Sequence, residues 1–155
     1  MGETSAEGVN ETHGFATAGT PPPHQTRKQM APDWIQQMIR DFGSRMGLSR
    51  FELNERDAAG FKAENGFRFQ LEYRDERLFM TLLFPMTEST ENLEQLLEMV
   101  HPAQRLPYAV HAACKPQMGG MFIIAAPIRE LNQPELTGRF ECLWKLAATA
   151  SQRLV

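Results

Sequence analysis

The residues Phe67, Phe69, Leu71 and Tyr73 alternate with Arg68, Gln70, Glu72 and Arg74, and the chain then turns at Asp75-Glu76 into an apolar run from Leu78 to Phe84. Apolar residues at every second position line one face of an extended strand, so this segment reads as an antiparallel hairpin. Its neighbours fix the fold class. An amphipathic helix stands before the hairpin, another follows it, a second strand pair comes next and a third helix closes the chain.

The first helix opens at Pro32-Asp33, where Asp33 is the expected cap and Gln36 reaches back to it. Trp34, Ile35, Met38, Ile39, Phe42 and Met46 repeat at helical spacing, and the helix is predicted to end near Gly47. Phe51 and Leu53 suggest a short strand or an extended lead-in, Ala59 to Ala63 a strand, and Asn65-Gly66 a tight turn into Phe67. Pro85 stops the sheet. Ser89 or Thr90 then caps a helix with Leu93, Leu96, Leu97 and Val100 on one side and Glu91, Glu94 and Glu98 on the other.

Past Pro102 and Pro107, Tyr108 to Cys114 reads as a strand and Gln117 to Gly120 as a turn. Met121 to Ala126 is a near-continuous apolar strand, which belongs in the centre of a sheet or at an interface. Asn132 with Glu135 marks another helix start, with Pro134 in its first turn and Leu136, Phe140, Leu143, Trp144 and Ala147 on its apolar side. The whole is α-β-β-β-α-β-β-α, an α+β arrangement of helices on an antiparallel sheet in a single domain.

The 155 residues are 42% hydrophobic and 23% charged, enough for one substantial core. From Met1 to Ala31 the chain is mostly Gly, Thr, Glu, Pro and Ala, a composition that cannot offset the entropy of ordering it, so residues 1–31 are expected to be disordered and 32–155 folded. Met30 is a candidate downstream start. A net charge of -3 with no basic stripe argues against nucleic acid. Two cysteines in an otherwise ordinary composition fit a reducing, cytoplasmic setting. No apolar run approaches the roughly 20 residues needed to cross a bilayer, so no membrane insertion is expected.

No motif for phosphate binding, nucleophilic hydrolysis, zinc proteolysis or paired-thiol chemistry occurs, and the sequence names no catalytic residue, no cofactor and no metal site. His111 and Cys114, three apart on a strand, point to opposite faces and cannot share one ion. Cys142 beside Leu143 and Trp144 reads as a buried, inert thiol. His101 stands at the end of the second helix, where it complements the dipole. Most of the nine methionines read as core filler; Met38 and Met46 are those that could instead line an adaptable apolar groove.

The helix ending in "IRDFGSRMGLSRFELNE", the passage "GFRFQLEYRDERLFMTLLFPM" and the order of the remaining elements resemble the class I chaperones of bacterial type III secretion, the small acidic family that includes the Tir-type chaperones. The resemblance covers about Asp33 to Leu154; the long N-terminal tail departs from the family's compact form. It implies a cytoplasmic homodimer that binds the N-terminal region of secreted effectors, keeps it secretion-competent and hands it to the export apparatus, with the secretion ATPase or other export components as further partners. It places the effector segment against Trp34, Ile35, Met38 and Ile39 and one face of Phe67, Phe69 and Leu71. It places the dimer interface on Leu93, Leu96, Leu97 and Val100, with Tyr108, Val110 and Ala112. Read without it, the leucine face packs on its own sheet or on a second copy, and the apolar stripe of the first helix serves the core or a client. A regulatory adaptor that sequesters a secretion regulator, and a small enzyme with no recognised motif, are the competing readings.

Overall fold

A computed structural model describes residues 30–154, so the tail expected to be disordered falls, except for Met30 and Ala31, outside the described residues. Ala31 belongs to the folded unit: it is buried, and its amide donates to the Asp57 Oδ1 at 3.2 Å. The elements are α1 (Asp33–Arg45), β1 (Ala58–Lys62), β2 (Arg68–Arg74), β3 (Arg77–Phe84), α2 (Thr90–Met99), β4 (His111–Lys115), β5 (Gly119–Pro127) and α3 (Gln133–Arg153), with single 3-10 turns at Pro102–Gln104 and Ile128–Glu130. The five strands form one antiparallel sheet in the order β1-β2-β3-β5-β4. This is the α-β-β-β-α-β-β-α order read from the sequence.

The β2–β3 turn is made by Asp75 and Glu76, with φ of 53° and 60°. Two consecutive left-handed residues match the twist of a two-residue hairpin connection, although neither is the glycine that such turns favour. The register follows from it: Phe69 faces Leu82, Leu82 faces Phe122, and Phe122 faces Ala112, so one row of side chains crosses four strands on the same side. Two rows further on, Leu71, Met80 and Ile124 repeat the pattern.

Onto this inner face the helices set their apolar sides. Phe140 of α3 meets Phe69 edge-on with ring centres 4.8 Å apart, Phe42 of α1 meets Phe140 at 5.3 Å, and Trp144 meets Phe67 at 4.9 Å. Such edge-to-face pairs contribute about 0.5–1.5 kcal/mol each beyond area burial. Helix α2 stands beside α3 over β4, burying Leu96 and Met99.

Local details depart from the sequence reading in four places. Pro32, not Asp33, occupies the cap of α1 without a side-chain bond; Pro32 has no N–H to donate to a side chain reaching back, and the Gln36 side chain itself donates through Nε2 to the Ala31 carbonyl at 2.7 Å. Phe51 and Leu53 form no strand. Phe51 drops into the core between Phe42 and Phe61, and Gly43 leaves room for it, since a Cβ there would collide with the Phe51 side chain. Strand β4 begins at His111 because Tyr108 is drawn away to α3, and the turn before β5 ends at Met118, leaving Gly119 and Gly120 in the strand. The caps of α2 and α3 are as read: Ser89 accepts from the Asn92 amide at 3.0 Å, and Asn132 from the Glu135 amide at 2.8 Å.

Candidate functional site

The pleat that sends Phe69, Met80, Leu82 and Phe122 inward sends their chain neighbours to the opposite face, where among the described residues no helix lies. That outer face is divided. On β1 and β2 it carries Lys62, Arg68, Gln70, Glu72 and Arg74; on β3, β5 and β4 it carries Phe79, Thr81, Leu83, Met121, Ile123, Ala125, His111 and Ala113. The apolar half is ordered in cross-strand rows: Leu83 with Met121 and Ala113, Thr81 with Ile123 and His111, and Phe79 with Ala125. The Arg74 guanidinium lies over the Phe79 ring at 4.6 Å, and the Arg68 stem stands opposite Leu83, so long cations border the apolar half.

Two shallow clefts of about 510 and 400 Å³ flank Pro85–Met86 at one end of the sheet, the first lined with Phe67, Ser151 and Leu154, the second with Glu88, Gln117 and Met118. A third, of about 370 Å³, runs between α2 and α3. All are open and lack a convergent catalytic set. Among the described residues, no three His, Cys, Asp or Glu side chains group to hold a metal ion. Burial pushes both thiols up from their ordinary range: for Cys114 the Glu88 carboxylate adds to the effect, and for Cys142 Lys145 opposes it. A raised thiol is less ionised at neutral pH, hence a poorer nucleophile.

No family profile matches the sequence, and no curated protein aligns with it. Solved structures do match in fold. A chain of the ExsC–ExsE complex superposes with a TM-score of 0.69 at 15% identity, covering 81% of this chain and 97% of that one. A chain of the HopA1–SchA chaperone–effector complex gives 0.62 at 14% identity, covering 77% and 94%. The Yersinia pestis type III secretion chaperone SycH, in complex with a fragment of YscM2, gives 0.56 at 15%, covering 76% and 97%. The chain has the fold of a class I type III secretion chaperone.

On this chaperone fold the residues singled out from sequence separate sharply. Of the effector-face candidates, Trp34 is 48% exposed, whereas Ile35, Met38, Ile39, Phe67, Phe69 and Leu71 are all buried in the protomer's own core. The stripe of α1 is turned onto the Phe42–Phe69–Phe140 cluster, and Trp34, one position out of phase with Ile35, is left outside. Of the dimer candidates, Leu97 is 48% exposed and Leu96 is 0% exposed, a correction to the reading that set both in one seam: consecutive helix residues lie about 100° apart and face different ways. Leu93 and Val100 are half-buried against the core, Val110 is buried, and Ala112 shares the inner row of Phe122. Met46 and Met118 are exposed, Met38 is not.

Tyr108 is also spoken for. The Arg139 guanidinium sits 4.4 Å from its ring centre, and that arginine, only 7% exposed, donates through Nη1 to Glu135 Oε1 at 2.6 Å and lies 3.5 Å from Glu130. Gly138 opens the surface of α3 to the Tyr108 hydroxyl. The clamp ties the α2–β4 connection to α3. Sequence reading missed Arg139; its spacing of four from Glu135 was the available signal. It also assigned no role to the outer residues of β3 and β5, though the unbroken apolar run Met121 to Ala126 was read as central or interfacial, and β5 lies between β3 and β4 with its second face bare.

Proposed function

We propose that this protein is a type III secretion chaperone that binds the N-terminal region of secreted effectors, keeps it competent for export and delivers it to the secretion apparatus as a cytoplasmic homodimer. The observation that carries the reading is the fold: three helices on one face of a five-stranded sheet, superposing along more than nine-tenths of a chain from a chaperone–effector complex and of one from a complex of a type III secretion chaperone. In support, the protomer leaves an apolar half-face on β3, β5 and β4, with Leu97 exposed on α2, which packs against β4. Burying such a patch removes apolar area from water at about 25 cal/mol per Å² and favours a partner of like character. A second copy supplies one by symmetry. Clients are then left to Trp34 and the open clefts around Pro85–Met86, where apolar anchors of an extended segment fit.

Affinity capture with the full chain from a bacterium that has the secretion system, followed by limited proteolysis of what is retained, tests this. Recovery of exported proteins protected over an N-terminal segment is the expected result. Recovery of nothing, or of a cytoplasmic regulator alone, overturns it in favour of the enzyme or the adaptor.

A further inference from the structure

Ahead of α1 the chain is held at one residue from both of its backbone ends. Ala31 is 3% exposed, its amide donates to the Asp57 Oδ1 at 3.2 Å, and its carbonyl accepts from the Gln36 side chain at 2.7 Å. The residue just before it stays out of the core: Met30 is 56% exposed. Asp57 is enclosed as well, at 3% exposure, and its backbone is left-handed, with a φ of 57°. The turn from Asn54 keeps it so. The Asp57 amide donates to the Asn54 carbonyl at 2.9 Å, the Asn54 side chain accepts from the Arg56 and Ala58 amides at 2.8 and 3.1 Å, and the Asp57 carbonyl accepts from the Tyr73 amide at 2.9 Å. A carboxylate that is costly to bury, on a backbone of sparse population, is thereby held against the Ala31 nitrogen.

We infer that this site is a socket for a free chain terminus: translation from Met30 and removal of that methionine leave an α-ammonium on Ala31, paired with the Asp57 carboxylate. The removal is hydrolysis by a methionine aminopeptidase, an activity that acts where the next residue is small, as alanine is. Water cuts the bond between the Met30 carbonyl carbon and the Ala31 nitrogen; the carbon takes the hydroxyl and the nitrogen the proton. Free methionine leaves, its carboxyl releases a proton to solvent, and the new amine takes one up at neutral pH. With the nitrogen still at the socket, a bond donated by a neutral amide becomes one between opposite charges, which is the stronger kind. The carboxylate is already enclosed, so only the ammonium's loss of water is added. The positive end of α1 opposes a cation there by about two- to fivefold, and Asp33 in the first turn offsets part of that.

The first experiment labels free α-amines in an extract of the source bacterium, digests with trypsin and identifies the peptides of this chain by mass. The expected result is a labelled peptide running from Ala31 to Arg40. An unlabelled peptide from Gln29 to Arg40, with no labelled one, marks a chain that continues upstream and overturns the inference. A labelled peptide that begins at Met30 overturns the socket, since the methionine is then retained. The second experiment separates pairing from simple trimming. Asp57→Asn keeps an oxygen able to accept from the Ala31 nitrogen but removes the charge, and urea unfolding compares it with wild type in the chain that starts at Ala31 and in the chain made from Met1. The α1 dipole acts alike on both residues at position 57 and cancels. The substitution is expected to lower the folding equilibrium constant about tenfold more in the chain that starts at Ala31. An equal loss in both chains overturns the pairing.

Discussion

The inner and outer faces of the sheet are drawn from the same strands, so β3 and β5 contribute alternate residues to each, yet the two faces reach opposite ends. Inward, Leu78, Met80, Leu82, Phe84, Phe122, Ile124 and Ala126 are closed over by α1, α2 and α3 and make one continuous core. Outward, Phe79, Met121 and Ile123 are equally apolar and only half-buried. An element that is apolar on both faces costs nothing extra when both are covered, and here the protomer covers one. The difference teaches where the core of the protomer ends and where the face assigned by the proposal to a partner begins.

Substitutions sharpen that contrast, and the largest effects belong inside. Phe42→Ala, which removes a ring touching Phe51, Phe69 and Phe140, is expected to cost about 3–5 kcal/mol in urea unfolding. Leu96→Asp, placing a charge at a fully enclosed site, is expected to prevent folding. If Leu96→Asp folds normally, the division between α2's inner and outer sides is misplaced.

Next come the outer residues. Ile123→Asp and Leu97→Asp leave a protomer whose unfolding free energy changes by about 1 kcal/mol or less, while light scattering reports monomer in place of dimer. Stable dimers in both variants would break the assignment of the outer half-face. A smaller effect is expected at the clamp: Tyr108→Ala loses a cation–π contact and its packing on α3, about 1–2 kcal/mol by thermal or urea denaturation, without change in association. Smallest is Ser89→Ala, which removes the cap of α2 at about 1 kcal/mol.

The order of elements was legible because each rests on a local signal: alternation for β2, glycine, asparagine and proline at the turns, caps at Ser89 and Asn132. What those signals do not contain is which apolar face meets which neighbour. Trp34 and Ile35 are consecutive and face directions about 100° apart on α1, and the position of α3 decides that Ile35's direction is enclosed and Trp34's is not. The same holds for Leu96 and Leu97. Tyr108 looked like the first residue of a strand until the Arg139 guanidinium, 31 positions along the chain, was placed beneath its ring. Phe51 likewise left the strand pattern because Gly43 made a space for it, a tertiary fact with no local trace.

The most direct test of the account is hydroxyl-radical footprinting of the wild-type full chain at pH 7.5, comparing Met121 on the outer half-face with Met118, which is 43% exposed on the adjacent turn. The account predicts that Met121 becomes protected as protein concentration rises through the dimer range while Met118 stays reactive. Oxidation of Met121 at the same rate at every concentration would contradict it, and would mean that the apolar half of the sheet faces water in solution as it does in the protomer.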